Sequence, residues 1–319
     1  MILPVSYQAA GLSVLSGLLR DCTLCPRECH ADRYGGSLGY CNSDASFNIA
    51  SVCIHRGEEP AISGSSGICN VFFGHCNMQC SYCQNHQISV NSPDLSVGIT
   101  TLDEALSAIL PILGKGIPII GFVSPSHCIP QMVILIRALR ERGYHPTTVY
   151  NTNGYDKVET LRSLEGLIDV WLPDFKYMDD KLAVGYSASP GYSAHARQAL
   201  REMYRQKGST LRVSDEGYAE SGLIIRHLVL PGQVENSKRV LACIAGELSP
   251  NVHLSLMSQY YPTTRVSGHP LLGRTVSAGE YRLVTDEMER LGFSRGWIQE
   301  AASHEHYRPD FNRKHPFEG

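Results

Sequence analysis

From residue 68 onward the chain repeats one rhythm, a short apolar run followed by an amphipathic stretch, six times over. The apolar runs are 68–73, 117–123, 147–150, 168–172, 223–230 and 252–257. Runs of this length, rich in Ile, Val, Leu and Phe, suit strands buried on both faces. The stretches 102–113, 131–142, 158–164, 194–207, 237–247 and 278–291 carry apolar residues at helical spacing. Strand and helix in alternation predict a parallel sheet joined by right-handed crossovers. The expected fold class is therefore α/β, a curved, partial (β/α)6 barrel with parallel strands. A doubly wound open sheet is the competitor, because periodicity does not separate the two. Either fold collects its chemistry at the C-terminal ends of the strands.

Residues 1–67 are different, rich in Gly, Ser and Cys and weakly periodic. They predict a small, irregular, metal-stapled module ahead of a barrel at 68–293, with an extended tail at 294–319 packed on it. A chain of 319 residues, 43% hydrophobic and 18% charged, can bury a large core. Its formal charge of −3, with no long basic run, gives no support for a nucleic-acid partner. No stretch approaches the roughly 20 apolar residues of a membrane span. Residues 1–19 lack the basic leader and small-residue cleavage site of a signal peptide. Eleven cysteines in such a chain point to metal binding in a reducing cytoplasm rather than to disulfides.

Three of these cysteines, Cys76, Cys80 and Cys83, follow the first apolar run in the spacing C-x3-C-x2-C. Iron–sulfur clusters usually take four Cys thiolates. A trio can hold three corners of a [4Fe–4S] cube and leave one iron open. The plainer readings are a zinc clip or a chance grouping, although structural zinc prefers four closed ligands in paired units. Upstream, Cys22, Cys25, Cys29 and Cys41 form a C-x2-C-x3-C-x11-C set. Four thiolates suit either structural Zn²⁺ or an auxiliary cluster. Cys53, Cys69, Cys128 and Cys243 are scattered among apolar neighbours, as inert buried thiols are, with Cys53 and Cys69 as weak alternate ligands.

Polar residues gather where the strands stop: Ser124, Ser126 and His127; Asn151, Asn153 and Tyr155; Asp174 and Lys176; Arg226 and His227; Gln259 and Tyr260. Asp174 and Lys176, two apart, share one side of an extended strand end. They suit the two charges of a zwitterionic ligand, or simply each other. His227 lies within an apolar run, so a satisfied core role competes with a cofactor role. Arg226 suits either a substrate carboxylate or a structural pair.

The cysteine loop 76–83, the run Cys22-Thr23-Leu24-Cys25-Pro26-Arg27-Glu28-Cys29 and the stretch Glu58-Glu59-Pro60-Ala61-Ile62-Ser63-Gly64 together resemble the radical S-adenosylmethionine (SAM) superfamily. Within it, the chain is most similar to pyruvate formate-lyase activating enzyme-like proteins, from about Cys22 to Phe311. The resemblance implies a partial TIM barrel and a [4Fe–4S] cluster on Cys76, Cys80 and Cys83. It implies SAM chelated at the open iron, cleavage to a 5′-deoxyadenosyl radical, and hydrogen abstraction. Tyr82 is then expected near the adenine, and Ser124, Ser126, Asn151, Asn153, Asp174, Lys176, His227 and Gln259 around the cofactor. The chain departs from the activating enzymes in three places. Their Gly-Gly-Glu loop appears as Ser124-Pro125-Ser126, Asn151 replaces an acidic residue, and a histidine gives way near Gln259 or Tyr260. The activity expected is that of an activase taking hydrogen from a glycine of a partner glycyl-radical enzyme, with flavodoxin or ferredoxin as electron donor. The alternatives are radical chemistry on a small molecule or another peptide, and a non-catalytic zinc-binding protein.

Overall fold

A computed structural model of the chain describes residues 15–95, 97–300, 308–313 and 315–317. The expectation of no leader peptide therefore falls mostly outside the described residues. Among those described, no helix is long and apolar enough to cross a membrane.

The strands are β1 (Ile49–His55), β2 (Ile68–Phe73), β3 (Ile119–Val123), β4 (Thr147–Thr152), β5 (Val170–Pro173), β6 (Arg212–Val213), β7 (Ala219–Leu228), β8 (His253–Met257) and β9 (Gly296–Ile298). They form one sheet in the order β1-β2-β3-β4-β5-β7-β8-β9, with β6 paired to β7. From β2 to β9 every neighbouring pair on this path is parallel. The order never reverses, and reversal is what defines the switch point of a doubly wound sheet. The chain is thus the α/β partial barrel that the sequence pattern predicts.

The helices between the strands are α1 (Leu102–Leu113), α2 (Ile129–Glu141), α3 (Val158–Arg162), α4 (Asp180–Ser187), α5 (Tyr192–Lys207), α6 (Val234–Glu247) and α7 (Ala278–Arg290). Capping boxes start α1 at Thr101 with Glu104 and α7 at Ser277 with Glu280, which is why these two starts can be read from the sequence. Every residue of β2, β3 and β5 is buried, as strands covered on both faces must be.

Two strands lie outside the six-unit rhythm. β1, within the segment expected to be a separate module, pairs antiparallel with β2, His55 opposite Ile68 and Ile49 opposite Phe73. β9, within the expected tail, adds a parallel strand beside β8, with Trp297 opposite Ser255. Beyond it, Phe311 packs on Phe72 at 5.2 Å, and Phe317 on His55 at 3.9 Å and on Phe72 at 5.6 Å. The tail segment thus lies against the strands that open the sheet. The cysteine-rich stretch before β1 is anchored by Arg33, which is 2% exposed. Its guanidinium donates to the carbonyls of Asp44 and of His127, the latter at 2.6 Å.

Candidate active site

The run out of β2 places Cys76, Cys80 and Cys83 at the C-terminal end of the barrel, at a cavity of about 660 Å³. All three line it, with Asn151, Asp174 and Arg226 from the strand ends. Each sulfur faces a hydrogen-bond donor. Asn153 Nδ2 (3.4 Å) and the Met78 amide (3.3 Å) donate to Cys76, the Ser187 hydroxyl (3.0 Å) to Cys80, and the Ser89 hydroxyl (3.3 Å) to Cys83. Donors aimed at sulfur are what a thiolate needs once buried. As free thiols, two of them resist ionisation: burial pushes Cys80 up to about 11, against the opposing pull of Lys176, and pushes Cys76 up further.

Among the described residues, no three His, Cys, Asp or Glu side chains are placed to share one metal ion. A zinc–sulfur bond of about 2.3 Å requires sulfurs roughly 3.8 Å apart in a tetrahedral site. A cubane puts each thiolate on a different iron and spaces the sulfurs more widely. The donor set of the 76–83 loop, three thiols with donors on every sulfur, fits the thiolates of a cluster.

Behind the loop lies a buried ion network. An isolated parallel bridge joins Asp174 to Arg226 at the end of β5. Arg226 donates to Asp174 Oδ1 (2.8 Å), Glu58 Oε2 (3.2 Å) and Asn151 Oδ1 (2.6 Å). Lys176 Nζ lies 2.6 Å from Asp174 Oδ2. Burial alone would raise Asp174, but Arg226 and Lys176 outweigh it and hold its carboxyl below the usual range. Lys176 is likewise raised, because Asp174 and Cys80 overcome the effect of burial. Gly154, at φ +81°, lets the end of β4 touch that of β5, since a Cβ there would collide with the Asp174 carbonyl.

Several expected site residues meet in this cavity: Ser124, Asn151, Asn153, Asp174, Lys176 and Gln259 all line it. Tyr82 does too, with its ring 5.7 Å from that of Tyr260 and its hydroxyl against that of Tyr177. Two expected residues are turned elsewhere. His227 is 1% exposed and faces α6, bonding the Phe175 carbonyl (2.7 Å) and the Ser237 hydroxyl (2.8 Å). Burial depresses it to about 4. It is a satisfied core histidine, since Arg226 beside it points inward and strand neighbours alternate. Ser126 sits in a 3₁₀ turn behind the strand ends, 3.2 Å from the Thr152 hydroxyl. His127 bonds the Gly74 carbonyl at 2.8 Å, and Tyr155 bonds that of Pro190. Arg226, already holding three side chains, offers no free fork to a substrate carboxylate.

Cys22, Cys25, Cys29 and Cys41 share one neighbourhood. Burial pushes Cys25 up to about 12, with smaller pushes from Cys41, Cys22 and Cys29. Arg27, between Cys25 and Cys29, donates to the Asn77 carbonyl at 2.9 Å, so the two cysteine sets are joined directly. Asn91 makes a second joint, donating to the carbonyls of Tyr40 (2.8 Å) and Cys76 (2.9 Å). Cys53 and Cys69, on β1 and β2, are buried strand residues outside both sets. Sequence reasoning left Glu58 and Glu59 without a role beyond resemblance. They reach the cavity because β1 and β2 form a hairpin-like pair whose connection turns into the barrel.

No family model matches the chain. An uncharacterized protein of Methanocaldococcus jannaschii is 23% identical over 282 residues, spanning 88% of this chain and 75% of that one. The structure is similar to that of HydG, a maturase of the [FeFe]-hydrogenase, with a TM-score of 0.52, 11% identity and 78% of this chain covered. It is similar to methylornithine synthase, PylB, with a TM-score of 0.50, 15% identity and 72% coverage. The chain spans 56% of the first of those chains and 63% of the second, under two thirds of each. These likenesses establish a shared fold.

Proposed function

We propose that this protein is a radical SAM enzyme whose [4Fe–4S] cluster is held by Cys76, Cys80 and Cys83. The observation that carries the reading is the trio itself, three thiols of one loop at the mouth of a cavity, each sulfur met by a donor. The fold shared with a hydrogenase maturase and methylornithine synthase supports it. When bound, the cluster and SAM supply a carbon radical able to take a hydrogen atom from a substrate.

The chain's own residues bind, orient and exclude water. Asn153, Ser187 and Ser89 fix the sulfurs. Lys176, beside Cys80, keeps ammonium protons for a ligand carboxylate, while Asp174 presents the opposite charge. Arg226 holds Asp174 in place. Tyr82, backed by Tyr260, provides an aromatic wall for a base. The one-electron donor is a flavodoxin or ferredoxin. The four N-terminal thiols suit structural zinc or an auxiliary cluster. Of the substrate classes, an enclosed small molecule or peptide side chain suits a cavity of this size better than the glycine of a partner enzyme.

The test is anaerobic reconstitution of the full chain, with iron and sulfide analysis and EPR of the reduced cluster. We expect about four irons at the trio and a spectrum that changes on adding SAM, both lost in Cys80→Ala. A wild-type spectrum indifferent to SAM, or iron retained in full by Cys80→Ala, overturns the reading.

A further inference from the structure

We propose that the substrate of this cavity carries a cationic nitrogen, which Glu59 receives from the side of the lumen opposite the cysteine loop. The inference rests on the radical SAM reading and deepens it by naming a substrate class.

The placement follows from the sheet. Glu59 comes from the connection between β1 and β2, at the end where His55 pairs with Ile68. The cysteine loop leaves β2 at its other end. Side chains from both ends line the same cavity.

The buried charges of the lumen are nearly matched; Arg56 and Glu300, which also line it, are exposed. Glu58 and Asp174 are opposed by Arg226 and Lys176, one for one. Glu58 also accepts from Asn70 Nδ2 at 3.0 Å and from Asn151 Nδ2 at 3.3 Å. The third carboxylate is Glu59, which feels the charge of Arg226 but makes no ion pair among the described residues. It is 8% exposed, and its Oε2 has no hydrogen-bond partner. Ser255, whose hydroxyl faces the carboxyl, has no charge to offer. His55 Nδ1, in a residue 7% exposed, lines the same cavity and is also buried without a partner.

Buried polar atoms are hydrogen-bonded in the great majority of cases, so two orphans on one cavity wall need a reason. A buried carboxylate without a hydrogen-bonded countercharge is costly. Left alone, Glu59 resolves this by keeping its proton, and burial indeed pushes it up. A ligand bearing an ammonium or guanidinium supplies both the missing donor and the missing charge. A neutral ligand supplies a donor at most, and an anionic one adds to the excess. Phe72, Met257, Trp297 and Phe317 also line the cavity, so the cation is expected on an apolar stem.

The test uses the reconstituted, SAM-loaded full chain and three probes that share one apolar stem: n-hexylammonium, 1-hexanol and hexanoate. Binding is read by isothermal titration at neutral pH. We expect the ammonium to bind about tenfold or more tighter than the alcohol, one charge-assisted contact being worth at least that much, and hexanoate to bind weakest. In Glu59→Gln, which keeps shape and loses charge, the preference should vanish. Equal binding of ammonium and alcohol, preference for hexanoate, or a preference that survives Glu59→Gln overturns the proposal. The wild-type comparison decides the matter even if the variant does not fold. EPR of the same wild-type sample separates the two levels. A response to SAM without amine preference sinks the substrate class alone, and no response to SAM sinks the function beneath it and the substrate class with it.

Discussion

Replacing Arg226 by Met tests the ion network behind the cysteine loop. Methionine keeps much of the volume and apolar stem but removes the charge and three donors. Arg226, Glu58 and Asp174 are 13%, 10% and 15% exposed at their side chains, so water repairs little of the loss. Removing one partner from a buried pair costs about 3–5 kcal/mol, because the remaining charge is left uncompensated. In a chain of this size that lowers the melting temperature by roughly 5–10 °C at neutral pH. The deficit should depend on pH, with a sign the structure fixes. Asp174 has a depressed carboxyl in the native protein, so its contribution is present above the unfolded value near ~4 and is lost as pH falls through the folded one. Without Arg226 only Lys176 opposes burial, so the Asp174 carboxyl moves up and its protonation relieves the variant. Thermal melts of wild type and Arg226→Met at pH 7.5 and pH 4.5 should therefore show a large gap that narrows on acidification. Melting within about 1 °C of wild type at pH 7.5, or a gap that does not change with pH, refutes the account of Arg226 as the charge that holds Asp174 and Glu58.

Two further predictions concern the periphery. His227, buried and depressed to about 4, costs stability as pH falls below its unfolded value near ~6.5, by an order of 3 kcal/mol once pH reaches the folded value. His227→Phe should flatten the stability–pH profile between those limits and leave the SAM response of the EPR spectrum intact; loss of that response would return the histidine to the cofactor. Arg27→Ala removes a charged hydrogen bond to the Asn77 carbonyl and a contact of 3.7 Å with the Tyr40 ring, together worth about 2–4 kcal/mol. Proteolysis should then cut the cysteine-rich stretch faster than in wild type, and an unchanged cleavage rate would show that Arg27 does not couple the two cysteine sets.

The parts of the fold that could be read from the sequence are those where a local pattern matches its environment. Ile68–Phe73 and Leu102–Leu113 fall at the expected bounds, the first as an unbroken apolar run and the second between a capping box and Gly114. β1 escaped because it is only intermittently buried and lies among cysteines and glycines that read as irregular. β9 is three residues long, too short to show any period. In the site, the cysteine loop and the polar strand ends were legible because parallel α/β folds bring those ends together. Ser126 was not, because Ser124 adopts a left-handed conformation that starts a 3₁₀ turn and carries Ser126 behind the sheet. The strict alternation of a strand could have separated Arg226 from His227. Glu59 could not be placed, since its position depends on a long-range strand pairing that composition does not announce.

Because sheet order follows chain order, each strand–helix unit meets its partner as soon as it is made, and assembly can run like a zip from β2 to β9. The stretch carrying Phe311 and Phe317 comes after every one of those strands, yet it packs on Phe72 of the earliest of them. The stretch carrying Phe311 and Phe317 therefore closes the flank of the barrel at β1 and β2. Through Pro309 and Phe317 the same seam supplies part of the wall of the chamber above the cysteines.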